Sequence, residues 1–149
     1  MNILLVYPET PDTFWSFKYA LKFINKRSTM PPLGLLTVAA MLPESWDRKL
    51  IDLNVKKIKE KDILWADYVF VSGMIIQKEA AQNIINKCKS LETKVVAGGP
   101  LFTGNYKEFK NVDHFILNEA EITLPMFLKD FESNNSKGVY STSDFADIK

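Results

Sequence analysis

The sequence predicts an α/β fold, an open parallel sheet with helices on both faces. Three observations predict it. Short apolar runs alternate along the chain with longer segments of helical period. The runs lack the polar alternation of half-exposed strands, as strands covered on both faces should. The length, 149 residues, suits one such domain and is short for two.

The first strand is Ile3 to Tyr7, stopped by Pro8. An irregular stretch, Glu9 to Pro32, follows. Its aromatics Phe14, Trp15, Phe17, Tyr19 and Phe23 argue against disorder and serve either a satellite core or a lid. A helix is expected within Phe14–Ile24. Pro31 and Pro32 open a helix from Leu33 to about Leu42, because proline in a first turn forfeits no helical bond. That helix is nearly all apolar and is expected to be deeply packed. Lys49 to Asn54 reads as the second strand and Lys56 to Trp65 as a short charged helix, its lysines on a solvated face.

Tyr68 to Ser72 is a β-branched and aromatic third strand ended by Gly73. Gln77 to Leu91 is amphipathic, with Ala80, Ala81, Ile84, Ile85 and Cys88 inward. Lys94 to Ala97 is the fourth strand, ended by Gly98-Gly99-Pro100. A short helix over Asn105–Phe109, a fifth strand His114–Asn118 and a last helix Glu121–Phe131 follow. In that helix Ile122, Leu124, Phe127, Leu128 and Phe131 form the inner stripe, and Pro125 is placed in the first turn. From Glu132 the chain turns polar, and Val139-Tyr140 reads as one edge strand. The domain is thus expected over residues 1–132, with 133–149 as linker or tail.

Right-handed crossovers give a flavodoxin-like (Rossmann-like) three-layer sandwich, with a five-stranded parallel sheet of order 2-1-3-4-5. Ligands of such sheets bind beyond the carboxyl ends of the strands, at the switch between the first and third. That selects the loops after Tyr7, Asn54, Ser72, Ala97 and Asn118.

Composition excludes several function classes. Hydrophobic residues make up 46% and charged residues 25%, and 19 basic against 18 acidic side chains leave +1. That is no basic footprint for nucleic acid. No apolar run reaches the roughly 18 residues of a membrane span, so a cytoplasmic protein is expected. A single cysteine, Cys88, allows no intramolecular disulfide or multi-cysteine metal site. On a helix's inner face it reads as a buried structural thiol. The single histidine, His114, opens the fifth strand, away from the selected edge, and reads as structural. There is no Gly-x-Gly-x-x-Gly after the first strand and no P-loop. Ser72 and Asn118-Glu119 stand where a phospho-acceptor receiver wants aspartate and lysine. Pro8-Glu9-Thr10-Pro11-Asp12 is no flavin phosphate loop.

What remains at that edge is small. Ser72-Gly73 and Gly98-Gly99-Pro100 make tight strand-to-helix turns, and they equally let backbone approach a large flat ligand. Glu119 and Glu121 flank a helix start and suit its dipole. No nucleophile–base pair for a stand-alone enzyme falls in these loops.

The chain resembles the N-terminal cobalamin-binding domain of cobalamin-dependent radical S-adenosylmethionine enzymes. The matching segments run from Met1 to about Phe131. They are Asn2–Pro8, Met30–Ala40, Leu50–Asn54, Trp65–Asp67, Val71-Ser72-Gly73-Met74, Val96–Thr103 and Asn118–Glu121, with Pro-Pro-Leu-Gly-Leu and Gly-Gly-Pro the most telling. The resemblance implies a cofactor domain and no catalytic residue within it. Ser72, Gly73, Met74, Gly98, Gly99 and Pro100 would line the cofactor tail or corrin edge. Asn118 and Glu119 would line the next loop. Tyr7, Pro8 and Glu9 would lie beneath the ring, with Leu33 and Gly34 beside it. The family's Cys-x-x-x-Cys-x-x-Cys, which holds a 4Fe-4S cluster in a C-terminal S-adenosylmethionine-binding domain, has no counterpart here. Cluster, S-adenosylmethionine and that partner domain are therefore expected in a longer parent polypeptide, a methyltransferase, with the linker near Phe145-Ala146-Asp147-Ile148. The Asp-x-His-x-x-Gly of better-known cobalamin carriers is missing too, so no loop histidine can ligate cobalt. Its lower face would be empty, water-bound or covered by another side chain. The alternative function is a flavodoxin-like interaction or regulatory module that has lost its cofactor.

Overall fold

The computed structural model describes residues 1–11 and 31–146. The expected helix within Phe14–Ile24, its aromatics, and the end of the tail lie outside them. Strand β1 (Asn2–Tyr7) is followed by helix α1 (Leu33–Met41), strand β2 (Asp47–Asp52) and the short α2 (Glu60–Leu64). Strand β3 (Tyr68–Ser72) leads through a 3₁₀ turn (Ile75–Gln77) into α3 (Lys78–Ser90). Then come β4 (Lys94–Gly98), α4 (Pro100–Asn105), a 3₁₀ turn (Tyr106–Glu108), β5 (His114–Ile116), α5 (Ala120–Glu132) and β6 (Val139–Tyr140).

All pairings are parallel, in the order β2-β1-β3-β4-β5-β6. The expected five-strand order is present, and the sheet has six strands rather than five. Val139 and Tyr140 pair with Phe115 and Ile116. Tyr140 anchors this edge: its hydroxyl donates to Asp130 (3.1 Å) and accepts the Lys137 N–H (2.7 Å).

Alternate strand residues feed two cores. One, under α2, α3 and α4, packs Leu4, Val6, Val69, Val71, Val95 and Ala97 against Ile63, Ile85, Cys88, Leu101 and Phe102. The other, under α1 and α5, packs Ile3, Leu5, Phe70, Val96 and Ile116 against Leu35, Leu124 and Phe127. The central strands β1, β3 and β4 bury both faces, which is why none of them shows alternation.

Several local expectations are corrected. The second strand begins at Asp47, in register with Asn2, and ends at Asp52. There Asp52 Oδ1 accepts both the N–H (2.9 Å) and Nδ2 (2.7 Å) of Asn54, an Asx turn that leaves the sheet. The first part of the lysine run, Lys56 to Lys59, is a loop rather than a helix face, because Val55 and Lys56 turn back onto the Asp52 carbonyl, and only Lys61 stands on the helix. The fourth helix starts at Pro100, not Asn105. The fifth strand ends before Asn118, whose φ of 63° leaves the β region. Pro125 is the sixth residue of α5, beyond the first turn, so the Glu121 carbonyl loses its helical partner. Helix α1 is not deeply packed: only Leu35 within it is buried, while Leu33 and Leu36 are 64% and 45% exposed. A helix apolar on every side has no stripe to choose which face goes inward.

Candidate functional site

At the carboxyl end of the sheet, on the α1/α5 side, a cleft of about 210 Å³ opens. Its floor is Phe70, Val96 and Ile116, inward residues of β3, β4 and β5. Gly34, Leu35, Thr37 and Val38 of α1 form one wall, and Asn118, Glu119, Ala120 and Glu121 at the start of α5 another. Ser72, Gly98, Gly99 and Pro100 close the strand ends. The cleft therefore lies above β3, β4 and β5, bordering the expected switch between β1 and β3 on its β3 side.

Of the residues singled out from the sequence, Gly34, Ser72, Gly98, Gly99, Pro100, Asn118 and Glu119 line this cleft. Tyr7, Pro8, Glu9, Leu33, Gly73 and Met74 do not. Pro8 and Gly73 are buried, and Glu9, Leu33 and Met74 are exposed, on the edge beside the cleft. Glu121 was read only as suiting its helix dipole, and the floor residues with Leu35, Thr37, Val38 and Ala120 were not singled out. Their only sequence signal was membership of a strand or helix, which does not distinguish a floor from a filled core.

The small residues prove to be crowded by the protein itself. A Cβ at Gly98 would lie 2.5 Å from the Ile116 carbonyl oxygen. At Gly99, with φ of +87°, it would collide with Ser72 Oγ. At Gly73 it would meet Gln77 Oε1 at 3.1 Å and Pro8 Cγ at 3.6 Å. These glycines let loops close on one another, while the open space lies beside them. Gly34 differs: a Cβ there meets nothing within 4 Å.

The edge is tied together by hydrogen bonds between loops. Gln77 Nε2 donates to the Pro8 carbonyl (2.6 Å), and its Oε1 accepts the Met74 N–H (2.8 Å). The Leu101 N–H donates to the Gly73 carbonyl (3.0 Å). Thr103 Oγ1 accepts the Asn118 N–H (2.9 Å), holding Asn118 in the left-handed conformation that asparagine tolerates. Thr123 Oγ1 donates to the Glu119 carbonyl (3.0 Å) at the helix start.

Chemically, the cleft has an apolar floor and polar groups around it: the hydroxyls of Thr37 and Ser72, one amide and two carboxylates. That suits a flat ring inside and amide or hydroxyl donors at the mouth. Cys88 is fully buried, and burial pushes its thiol up to about 12, so it is no nucleophile near neutral pH. His114 Nδ1 sits 2.7 Å from the Lys137 carbonyl, with its ring among Tyr68 and Phe127. Among the described residues no group of three or more His, Cys, Asp or Glu could hold a metal ion. No described helix is long and apolar enough to cross a membrane.

Residues 23–128 match the B12 binding domain family. The chain is 39% identical, over 99% of its length, to the uncharacterized methyltransferase sll1242 of Synechocystis sp.. It is 30% identical, again over 99% of its length, to the hopanoid C-2 methylase of Rhodopseudomonas palustris. The chain spans only 28% and 29% of those two proteins. No solved structure gives a significant match.

Proposed function

This chain belongs to the B12 binding domain family, and from that premise we propose that it holds cobalamin at the carboxyl edge of its sheet. The nucleotide tail enters the cleft, and the corrin ring lies on the neighbouring edge. The cleft carries this reading. Its apolar floor suits the tail's flat base. The base would stack in the apolar slot between Phe70, Val96 and Ile116 below and Leu35 and Val38 beside. Ser72, Asn118, Glu119 and Glu121 would meet hydroxyls and the amide N–H groups of the corrin rim. The two carboxylates repel the tail's phosphate, which would stay outside their reach. Tyr7, Pro8 and Glu9 would lie beneath the ring, with Leu33, Gly73 and Met74 around it. When bound, the cofactor supplies a cobalt centre able to carry a methyl group; this chain's part is to bind and orient it.

We further propose that the parent protein is a radical S-adenosylmethionine methyltransferase. Its 4Fe-4S cluster and S-adenosylmethionine would sit in a domain beyond these residues, with 133–149 leading toward it. The names of the two relatives, and the small share of each that this chain spans, support that reading. The alternative, an interaction module without cofactor, draws support from the exposed Leu33, Leu36, Met74, Ile75 and Ile76.

One titration separates the two. The purified chain is mixed with hydroxocobalamin, followed by visible absorption, then gel-filtered. A saturable shift of the corrin bands and pigment eluting with protein are expected. Unchanged bands and colourless protein at high cofactor excess would overturn the cobalamin reading and leave the interaction module.

A further inference from the structure

We propose that Gln77 is a positioning residue for the corrin ring, locking the loops after β1 and β3 into one platform beneath it. The proposal rests on the cobalamin reading above. Gln77 is 1% exposed, and a side-chain amide that deeply buried must be fully partnered or cost stability. Its partners come from two different loops. The Met74 N–H bond (2.8 Å) is an ordinary helix-entry contact. The Pro8 carbonyl bond (2.6 Å) spans 69 residues of sequence and serves no helix.

A third loop reinforces the same carbonyl. Asn54, itself held by the Asx turn at Asp52, brings Nδ2 to 3.3 Å from the Pro8 oxygen and accepts the Thr10 N–H at 2.8 Å. Gly73 completes the closure, since a Cβ there would press on Gln77 Oε1. Loops after three adjacent strands, β2, β1 and β3, thus meet at one oxygen. The polar groups of Pro8 and Met74 are consumed within the protein. What the platform offers a ring above it is the half-exposed Met74 side chain, with the buried Pro8 as its support. It supports a ring without ligating the metal, and its height and tilt depend on Gln77.

The test uses hydroxocobalamin binding to the wild-type chain, Gln77→Glu, Gln77→Leu and Asn54→Ala, each shown folded by circular dichroism. Gln77→Glu keeps the acceptor for Met74 but sets a carboxylate against the Pro8 carbonyl. At pH 8 its Kd should rise at least about tenfold over wild type, the scale of one lost buried hydrogen bond. At pH 5 burial favours the protonated carboxyl, which again donates to Pro8. There the ratio to wild type should fall to about threefold or less. Gln77→Leu should lose affinity equally at both pH values. Asn54→Ala, removing the weaker bond, should lose about threefold at both, and it carries the test if the Gln77 variants do not fold. A merely structural Gln77 would lower melting temperatures and leave the Kd ratios near one and flat with pH; that result overturns the proposal. Wild-type protein that takes up no hydroxocobalamin overturns the cobalamin reading itself, a distinguishable failure.

Discussion

The two faces of one sheet have been finished differently. Under α2, α3 and α4 the inward residues meet a complete set of partners, from Ile63 through Cys88 to Phe102. Under α1 and α5 packing is complete near Phe127 and Tyr140. Toward the carboxyl end of that face, Phe70, Val96 and Ile116 floor an open cleft. Strand hydrophobicity does not distinguish the faces, since the inward residues of both are apolar. The difference comes from the covering helices: α3 brings an amphipathic face with four buried residues, whereas α1 buries one. The closed face is expected to carry more of the stability, and the open one holds the cleft proposed for binding.

The largest effect that could break this comparison is Phe102→Ala. Phe102 is fully buried and packs against Phe109 with ring centroids 4.6 Å apart and planes tilted at 54°. Its truncation should cost about 3–5 kcal/mol in urea unfolding. A loss below about 1 kcal/mol would mean the closed face is not the stabilising one. Next is Gly99→Ala, at the border of the cleft. Its positive φ and the clash with Ser72 Oγ should cost about 1–3 kcal/mol and weaken hydroxocobalamin uptake; unaltered stability and uptake together would show that this turn relaxes freely. The smallest effect has the opposite sign. Gly34→Ala on α1 fills open space and should stabilise the chain by up to about 0.5–1 kcal/mol, by helix propensity. A drop in melting temperature would show that the open face is occupied after all.

Much of this architecture was legible in the residues. Strands such as Tyr68–Ser72 announce themselves by β-branched and aromatic runs between turn signals, and the inward stripe of α3 by its period. Handedness then restricts the strand order. The short edge strand at Val139-Tyr140 was legible as well. Boundaries set by long-range partners were not. The second strand follows its pairing with Asn2, and the Asp52–Asn54 turn ends it. The site was partly legible: seven of the residues chosen from the loops line the cleft, because loops at strand ends must lie at that edge. Gln77 gave no signal, being one more polar residue at a helix start.

The sequence by itself determined the kinds of element, their order in the sheet and the edge at which a ligand can lie, since periodicity and turn chemistry are local and crossover handedness is general. Only the tertiary structure decided that the cleft opens on the α1 face, that Gly73, Gly98 and Gly99 accommodate the protein's own atoms, and that Gln77 joins loops 69 residues apart. Those outcomes depend on distances between groups remote in the chain, which no local pattern of residues encodes.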